Sequence, residues 1–116
     1  LYTGHWNRNW GTDAWLSDYG GLTREATEWL ADQGVVNIGI DAPSVDSSAE
    51  MERRENNEDD HYPSHQVCKE RKVTNTENMI NLDKVAGEEF TYIGLPLNIR
   101  RGTGSPVRAV AIKDAD

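Results

Sequence analysis

The feature that most constrains the fold of this 116-residue chain is a helix pattern that runs directly into a strand pattern. In LTREATEWLADQG, Ala26, Trp29 and Leu30 recur at helical spacing and predict one apolar face. Thr23 can cap the start of this helix, and Gly34 suits its end. VVNIGI follows at once and is short, β-branched and apolar with little alternation, as in a strand covered on both faces. The sequence therefore predicts a helix over 24–33, a buried strand over 35–40 and a layered α/β fold.

The segment DAPSVD comes immediately after the predicted strand. Ligand groups in α/β folds gather at the carboxyl ends of strands, which makes Asp41, Ser44 and Asp46 candidates for a site. The alternative is an ordinary turn, in which Pro43 restricts φ and Ser44 or Asp46 caps the next segment. On this stretch alone the turn is the favoured interpretation.

The rest of the chain has weaker patterns. SHQVCKERK suggests a short helix capped by Ser64, and strands are predicted around 90–93 and over 107–113. Between residues 41 and 60 there are eight acids and two bases, which indicates a solvated polar loop. TENMINLDKVAG suggests a turn or a helix.

Charge and cysteine content exclude some classes of function. The net charge is −8, which disfavours nucleic-acid and anionic-membrane partners because both require a positive surface. No run of eighteen apolar residues is present to span a membrane. Cys68 is the single cysteine, so no internal disulfide can form, and a cytoplasmic location is predicted. A small buried thiol is a better prediction for Cys68 than a nucleophile.

His65 and Glu77 are the two side chains best suited to bind a metal, with eleven residues between them. Imidazole and carboxylate together suit Zn²⁺ or Mn²⁺. Two ligands do not define a metal site, and by spacing alone ordinary polar roles are favoured. The chain contains no HExxH motif, cysteine pair or G-x-S-x-G motif that would indicate another chemistry.

Several segments read in order resemble the cyclase family, which includes bacterial kynurenine formamidases and isatin hydrolases. The most specific are GIDAPSVD and GSPVRAVA, supported by TGHWNRNW, SHQVCKERK and ENMINLD. The resemblance covers nearly the whole chain. It implies the C-terminal part of a cyclase-like, swivelling β/β/α domain, with a mixed sheet and covering helices. It also implies that 1–116 forms a single partial domain.

The resemblance implies a hydrolase that uses zinc or manganese to activate water against an amide or lactam. His65 and Glu77 match the second group of metal ligands in that family. The first group, His-x-Gly-Thr-His-x-Asp-x-Pro-x-His, has no match in this chain, and the family's general acid or base belongs to it. This chain is therefore expected to hold an ion weakly and to be inactive alone.

The resemblance also suggests substrate-side residues and partners. Ser44 is the candidate for a polar contact near a small-molecule substrate, and Trp6 or Trp10 could wall the pocket or simply pack beneath their loop. The expected partners are the absent N-terminal half, a second copy in a homo-oligomer, or both. The alternative function is a non-catalytic cyclase-like α/β module that serves binding or assembly.

Overall fold

The computed structural model describes residues 1–56 and 61–113. It divides into two compact units, Leu1–Asp83 and Lys84–Asp116, and the prediction of a single domain over 1–116 stays a prediction. The α-helices are α1 His5–Asn9, α2 Arg24–Asp32, α3 Ser48–Glu55 and α4 Pro63–Arg71, with 3₁₀ turns at Asp13–Leu16 and Leu82–Lys84. The strands are β1 Asn37–Gly39, β2 Thr74–Thr76, β3 Thr91–Ile93 and β4 Val110–Ile112.

Helix α2 confirms the predicted helix and its start. The Thr23 hydroxyl accepts a hydrogen bond from the Ala26 N–H, 3.2 Å away. The predicted apolar face is only partly correct: Leu30 packs against the core, but Trp29 is 62% exposed and Thr27 is fully buried instead. The Thr27 hydroxyl donates to Ser64 Oγ of α4 at 2.9 Å, so a hydrogen bond between the helices decides which side of α2 faces inward.

Strand β1 confirms a buried strand after the helix, with Ile38 in the strand and Ile40 just after it both buried. The expectation that both faces are covered is wrong, because Val36 is exposed and burial alternates along the segment. β1 pairs in parallel with β2, which the polar sequence TNT did not predict. Parallel pairing places the carboxyl ends of both strands at one edge of the sheet.

The segments around α4 differ from prediction in two ways. Residues 48–55 form α3 within the stretch predicted as a solvated loop, whose residues 57–60 lie outside the described part. Ser64 does not cap α4: the N-cap is Tyr62, in a left-handed backbone conformation, and Ser64 lies inside the first turn.

The core of the first unit lies between β1, α2 and α4. Its buried apolar residues include Cys68, which confirms the prediction of a small buried thiol. Partly buried apolar residues of α2 and its flanks pack against this core. The buried apolar residues are Tyr19, Ile38, Ile40, Ala42, Val45, Val67, Cys68 and Val73.

The second unit is built around the antiparallel pair β3 and β4, in the register Thr91↔Ile112 to Ile93↔Val110. A further bridge joins Pro96 to Val107. Both strands agree with the predicted ones, but no residue of this unit is buried within the described 84–113.

Of the helices in the described ranges, none has the length and apolar character needed to cross a membrane.

Candidate metal site

Asp46 determines how His65 is presented. Its carboxylate is fully buried and accepts the Ser64 N–H at 2.7 Å and the His65 N–H at 3.2 Å. These are two of the donors that the first turn of α4 leaves without helical partners. The same carboxylate therefore caps α4 from a distant turn and fixes the position of His65 at the start of the helix.

The ring of His65 is oriented by a third contact to the same carboxylate. His65 Nδ1 lies 2.5 Å from Asp46 Oδ2. Since an ionised carboxylate only accepts hydrogen bonds, Nδ1 carries a proton, and in the neutral ring Nε2 keeps its lone pair. The hydrogen bond that His65 donates to Asp46 raises the pKa of His65, partial burial opposes this, and the Glu77 charge raises the pKa further.

Glu77 immediately follows β2 and reaches the turn after β1. Its Oε1 accepts the Val45 N–H at 3.0 Å and an N–H of the Asn75 side chain at 3.0 Å. Glu77 Oε1 lies 3.5 Å from His65 Nε2. The parallel pairing of β1 and β2 thus brings Glu77 to the turn after β1, and the packing of α4 against β2 places His65 beside it.

Ser44 lies in this same turn, half-buried. Its hydroxyl accepts the Asp46 N–H at 3.1 Å, which is a local turn contact. Asp41, at the other end of the turn, is buried and accepts the N–H groups of Thr3 and Gly4, both at 2.7 Å. The turn interpretation therefore describes Ser44 and Asp41, while Asp46 has the additional contacts to His65.

Trp6 and Trp10 are stacked, with ring centroids 4.0 Å apart. Trp15 packs edge-on against both rings. Trp6 and Trp10 line an open cavity of about 390 Å³, together with Asn7, Ile80, Asn81 and Asp83. His65 and Glu77 are not among the residues that line it, so this cavity and the His65–Glu77 pair are distinct features of the first unit.

The donor set partly fits a divalent metal. His65 Nε2 and Glu77 Oε1 are a nitrogen and an oxygen ligand of the kinds that Zn²⁺ and Mn²⁺ accept. The contact of Asp46 with the other ring nitrogen is the arrangement that orients metal-binding histidines. Within 1–56 and 61–113, however, no three His, Cys, Asp or Glu side chains are grouped to hold an ion.

One residue of this cluster was not predicted from the sequence, and another was named without its role. The sequence makes Asp46 a candidate site residue or a cap, but its contact with the ring of His65 depends on tertiary structure. No local pattern pointed to Asn75, whose amide lies between His65 and Glu77. Had β2 been predicted as a strand, the spacing of two between residues 75 and 77 would have placed both on one face.

The comparisons with known proteins agree on one family. A protein-family model described as "Putative cyclase" matches residues 1–47. Kynurenine formamidase of Bordetella petrii is 36% identical over 98 residues, covering 84% of this chain and 42% of that protein. The Bordetella avium kynurenine formamidase is 35% identical over 96 residues, covering 83% and 41%.

A solved structure has the same fold. The crystal structure of an isatin hydrolase bound to the product analogue thioisatinate matches with a TM-score of 0.76 and 27% identity. The match covers 92% of this chain and 42% of that one. This likeness confirms the predicted fold class. The chain spans less than half the length of the two Bordetella formamidases.

Proposed function

We propose that the chain is part of a metal-dependent hydrolase of the cyclase family that cleaves an amide or lactam C–N bond. Its relatives are hydrolases by name: the two Bordetella proteins are kynurenine formamidases, and the solved structure is an isatin hydrolase. The activity of the whole protein is a proposal, because this chain aligns with 42% of the Bordetella petrii enzyme.

The observation that carries the proposal is the 3.5 Å separation of His65 Nε2 and Glu77 Oε1, with the imidazole held by the buried Asp46. A purely structural role would not require the two side chains to face each other. When bound, a Zn²⁺ or Mn²⁺ ion would supply a water of lowered pKa and polarise the scissile carbonyl.

The residues of this chain contribute binding and orientation. Asp46 keeps the proton on His65 Nδ1 and directs the Nε2 lone pair toward Glu77. The Val45 N–H holds the Glu77 carboxylate, so the side chain loses less freedom when it binds an ion. Ser44 remains the proposed polar contact to substrate, and Trp6 and Trp10 the proposed walls of its pocket.

The general acid or base is proposed to lie in the family's N-terminal motif. His5 is a poor candidate for it, because the ring is buried and both nitrogens are engaged. His5 Nε2 lies 2.9 Å from the Trp15 carbonyl, and Nδ1 lies 3.0 Å from the Asn9 amide. These contacts describe a histidine that organises its own loop.

One observation favours the alternative of a non-catalytic module. The described residues contain no third side chain among His, Cys, Asp and Glu that joins His65 and Glu77 around a common point. A module that keeps the fold for binding or assembly would share this feature. The two functions differ in whether the protein binds a divalent ion through His65 and Glu77.

Exposed apolar side chains support the proposed partners. In the second unit Leu95 is 77% exposed, and Leu97 is exposed as well. Apolar groups this close together are commonly covered in an assembly. We propose that the N-terminal half, a second copy in a homo-oligomer, or both cover these side chains. The proposed substrate is a small molecule.

A cytoplasmic location is proposed from the single buried cysteine.

The test is metal content and hydrolysis in His65→Ala and Glu77→Ala variants of the full-length protein. Both variants should lose bound metal and activity on a panel of aryl formamides and isatin, while circular dichroism stays unchanged. Glu70→Ala is the matched control, because Glu70 is an exposed carboxylate on α4. Full metal occupancy and activity in both variants would contradict the proposal.

A further inference from the structure

The amide of Asn75 lies between the two proposed metal ligands. Asn75 Nδ2 is 3.2 Å from His65 Nε2 and 3.0 Å from Glu77 Oε1. Asn75 is the middle residue of β2 and Glu77 directly follows the strand, so a spacing of two turns both side chains to the same side. One amide nitrogen therefore donates its two hydrogens to the two atoms that would bind an ion.

The three atoms have the spacing of ligands around one ion. Their separations are 3.5 Å between His65 Nε2 and Glu77 Oε1, and 3.2 Å and 3.0 Å from the Asn75 amide to each. Two donors that each lie about 2.1 Å from a common ion are about 3.0 Å apart at right angles and about 3.4 Å apart at a tetrahedral angle. All three separations lie close to this range.

We propose that Asn75 is a third metal ligand of this site, binding through its carbonyl oxygen Oδ1; the inference rests on the proposed metal-dependent function. A half-turn about the Asn75 χ2 angle brings Oδ1 to the place where Nδ2 now lies. In the absence of an ion the amide donates to the histidine and the carboxylate, and with an ion it binds the ion alongside them. The amide therefore has two orientations, one for each state.

The chemistry of the three donors indicates the class of ion. One imidazole nitrogen, one carboxylate oxygen and one amide oxygen form an oxygen-rich set. Carboxylate and carbonyl oxygens suit Mn²⁺ or Mg²⁺, and imidazole makes Mn²⁺ the better match of these two. Zn²⁺ sites more commonly draw on imidazole and thiolate. The site as proposed therefore favours Mn²⁺.

A purely structural role describes Asn75 less well. The side chains of His65 and Glu77 are 42% and 23% exposed, so water could satisfy their polar atoms without help from Asn75. Glu77 Oε1 already has the Val45 N–H as a partner. Asn75 is thus not needed to rescue a buried group, and its central position needs another reason.

Asn37 on the neighbouring strand shows what a structural asparagine looks like in this sheet. Its amide donates to the hydroxyls of Thr74 and Thr76, at 2.8 Å and 3.4 Å. Those contacts hold β1 to β2 on the face opposite to Asn75. Asn37→Ala is therefore a matched control that removes the same group from the same sheet.

The experiment is a titration of the metal-free, full-length protein with Mn²⁺. Calorimetry and the electron paramagnetic resonance signal of free Mn²⁺ measure the binding. Asn75→Ala should weaken binding about tenfold or more, since loss of outer contacts alone weakens metal sites by roughly 10–100-fold. Asn75→Asp places a carboxylate oxygen at the same point and should bind at least as tightly as the native protein. Asn37→Ala should bind like the native protein.

The direction of the change in Mn²⁺ affinity shows whether Asn75 binds the ion or only blocks the site. If Asn75→Ala bound Mn²⁺ as tightly as the native protein or more tightly, the amide would only block the site, and the proposal would be wrong. His65→Ala and Glu77→Ala complete the series. If these two also bound Mn²⁺ normally, the proposed metal site itself would fail, a result separate from failure at Asn75 alone.

Discussion

The two units of this protein use strands of the same length but differ in what covers them. In Leu1–Asp83, Ile38 of β1 and Ile40 just after it are buried in the core with the neighbouring helices. In the second unit, β3 and β4 are equally short, and none of the described residues is buried. Each of the four strands is three residues long, so strand length does not decide where a core forms.

The difference shows that an apolar strand pattern marks a face that can be buried, while the cover must come from elsewhere. In the first unit α2 and α4 supply it, joined by the buried hydrogen bond between Thr27 and Ser64. The second unit has no described α-helix of its own. Its apolar side chains are consequently available to a partner.

The largest expected effect contrasts two isoleucines, Ile40 just after β1 and Ile112 in β4. Ile40→Ala should lower the free energy of unfolding by about 2–5 kcal/mol, because Ile40 is fully buried and the substitution leaves a cavity. Ile112→Ala should change it by no more than about 0.5 kcal/mol, because Ile112 is half exposed. Urea unfolding followed by tryptophan fluorescence and circular dichroism measures both. A loss above about 2 kcal/mol at Ile112 would mean that the native protein covers this face.

The next effect concerns the buried carboxylate of the first unit. Asp46→Asn puts an amide N–H against donors on Ser64 and His65, so the imidazole loses its fixed orientation. Mn²⁺ affinity of the full-length protein should fall by roughly 10–100-fold. Calorimetric titration measures the affinity, and ¹⁵N NMR of the imidazole should show a smaller population of the Nδ1–H tautomer.

Asp32→Asn is the control, since it breaks only an exposed ion pair with Arg71. Unchanged affinity and tautomer would show that Asp46 only caps α4.

A third effect tests burial in the first unit through Cys68. Burial raises the pKa of the thiol, and the nearby charges of Asp46 and Glu77 raise it further. Alkylation near pH 8 should be at least about tenfold slower in the folded protein than in urea. Because the folded pKa is the higher one, the stability due to this group is complete below about pH 8.5 and is lost as the pH rises through the raised value. Equal alkylation rates in both states would contradict the burial of Cys68.

The smallest effect on the single chain is expected in the second unit. Replacing Leu95 and Leu97 by Lys should leave the chain's own stability within about 0.5 kcal/mol for each residue, because both are exposed. The same change should disrupt association, which sedimentation velocity would detect as a shift to a smaller species. Glu89→Lys is the control for added charge on an exposed residue of this unit. A native protein that sediments as a single chain would contradict the proposed assembly.

Local patterns predicted the elements whose signals are contained in a few adjacent residues. The start of α2 at Thr23, the strand after it and the hairpin strands of the second unit were all predicted. β2 was not, because TNT lacks apolar residues and its pairing with β1 is long-range. Helix α3 was missed because its acidic sequence has the composition of a solvated loop.

The candidate site divides in the same way. His65 and Glu77 could be named from the sequence, because their chemistry is a property of the side chains and their spacing carries the family resemblance. Their 3.5 Å separation could not be derived, since it depends on how α4 packs against β2 and on the contact of Asp46 with the His65 ring. The contact of Asp46 with His65 likewise joins two segments that only the folded chain brings together.

The sequence by itself determined the fold class, the family resemblance and the two best candidate ligands, since periodicity, turn residues and side-chain chemistry are local properties. Tertiary structure alone decided that Asp46 orients His65 and that Asn75 lies between His65 and Glu77. It also decided that Thr27, rather than Trp29, faces the interior of the unit from α2. The physical reason is that each of these facts is a hydrogen bond or packing choice between distant segments, which forms only when β1, β2, α2 and α4 are assembled together.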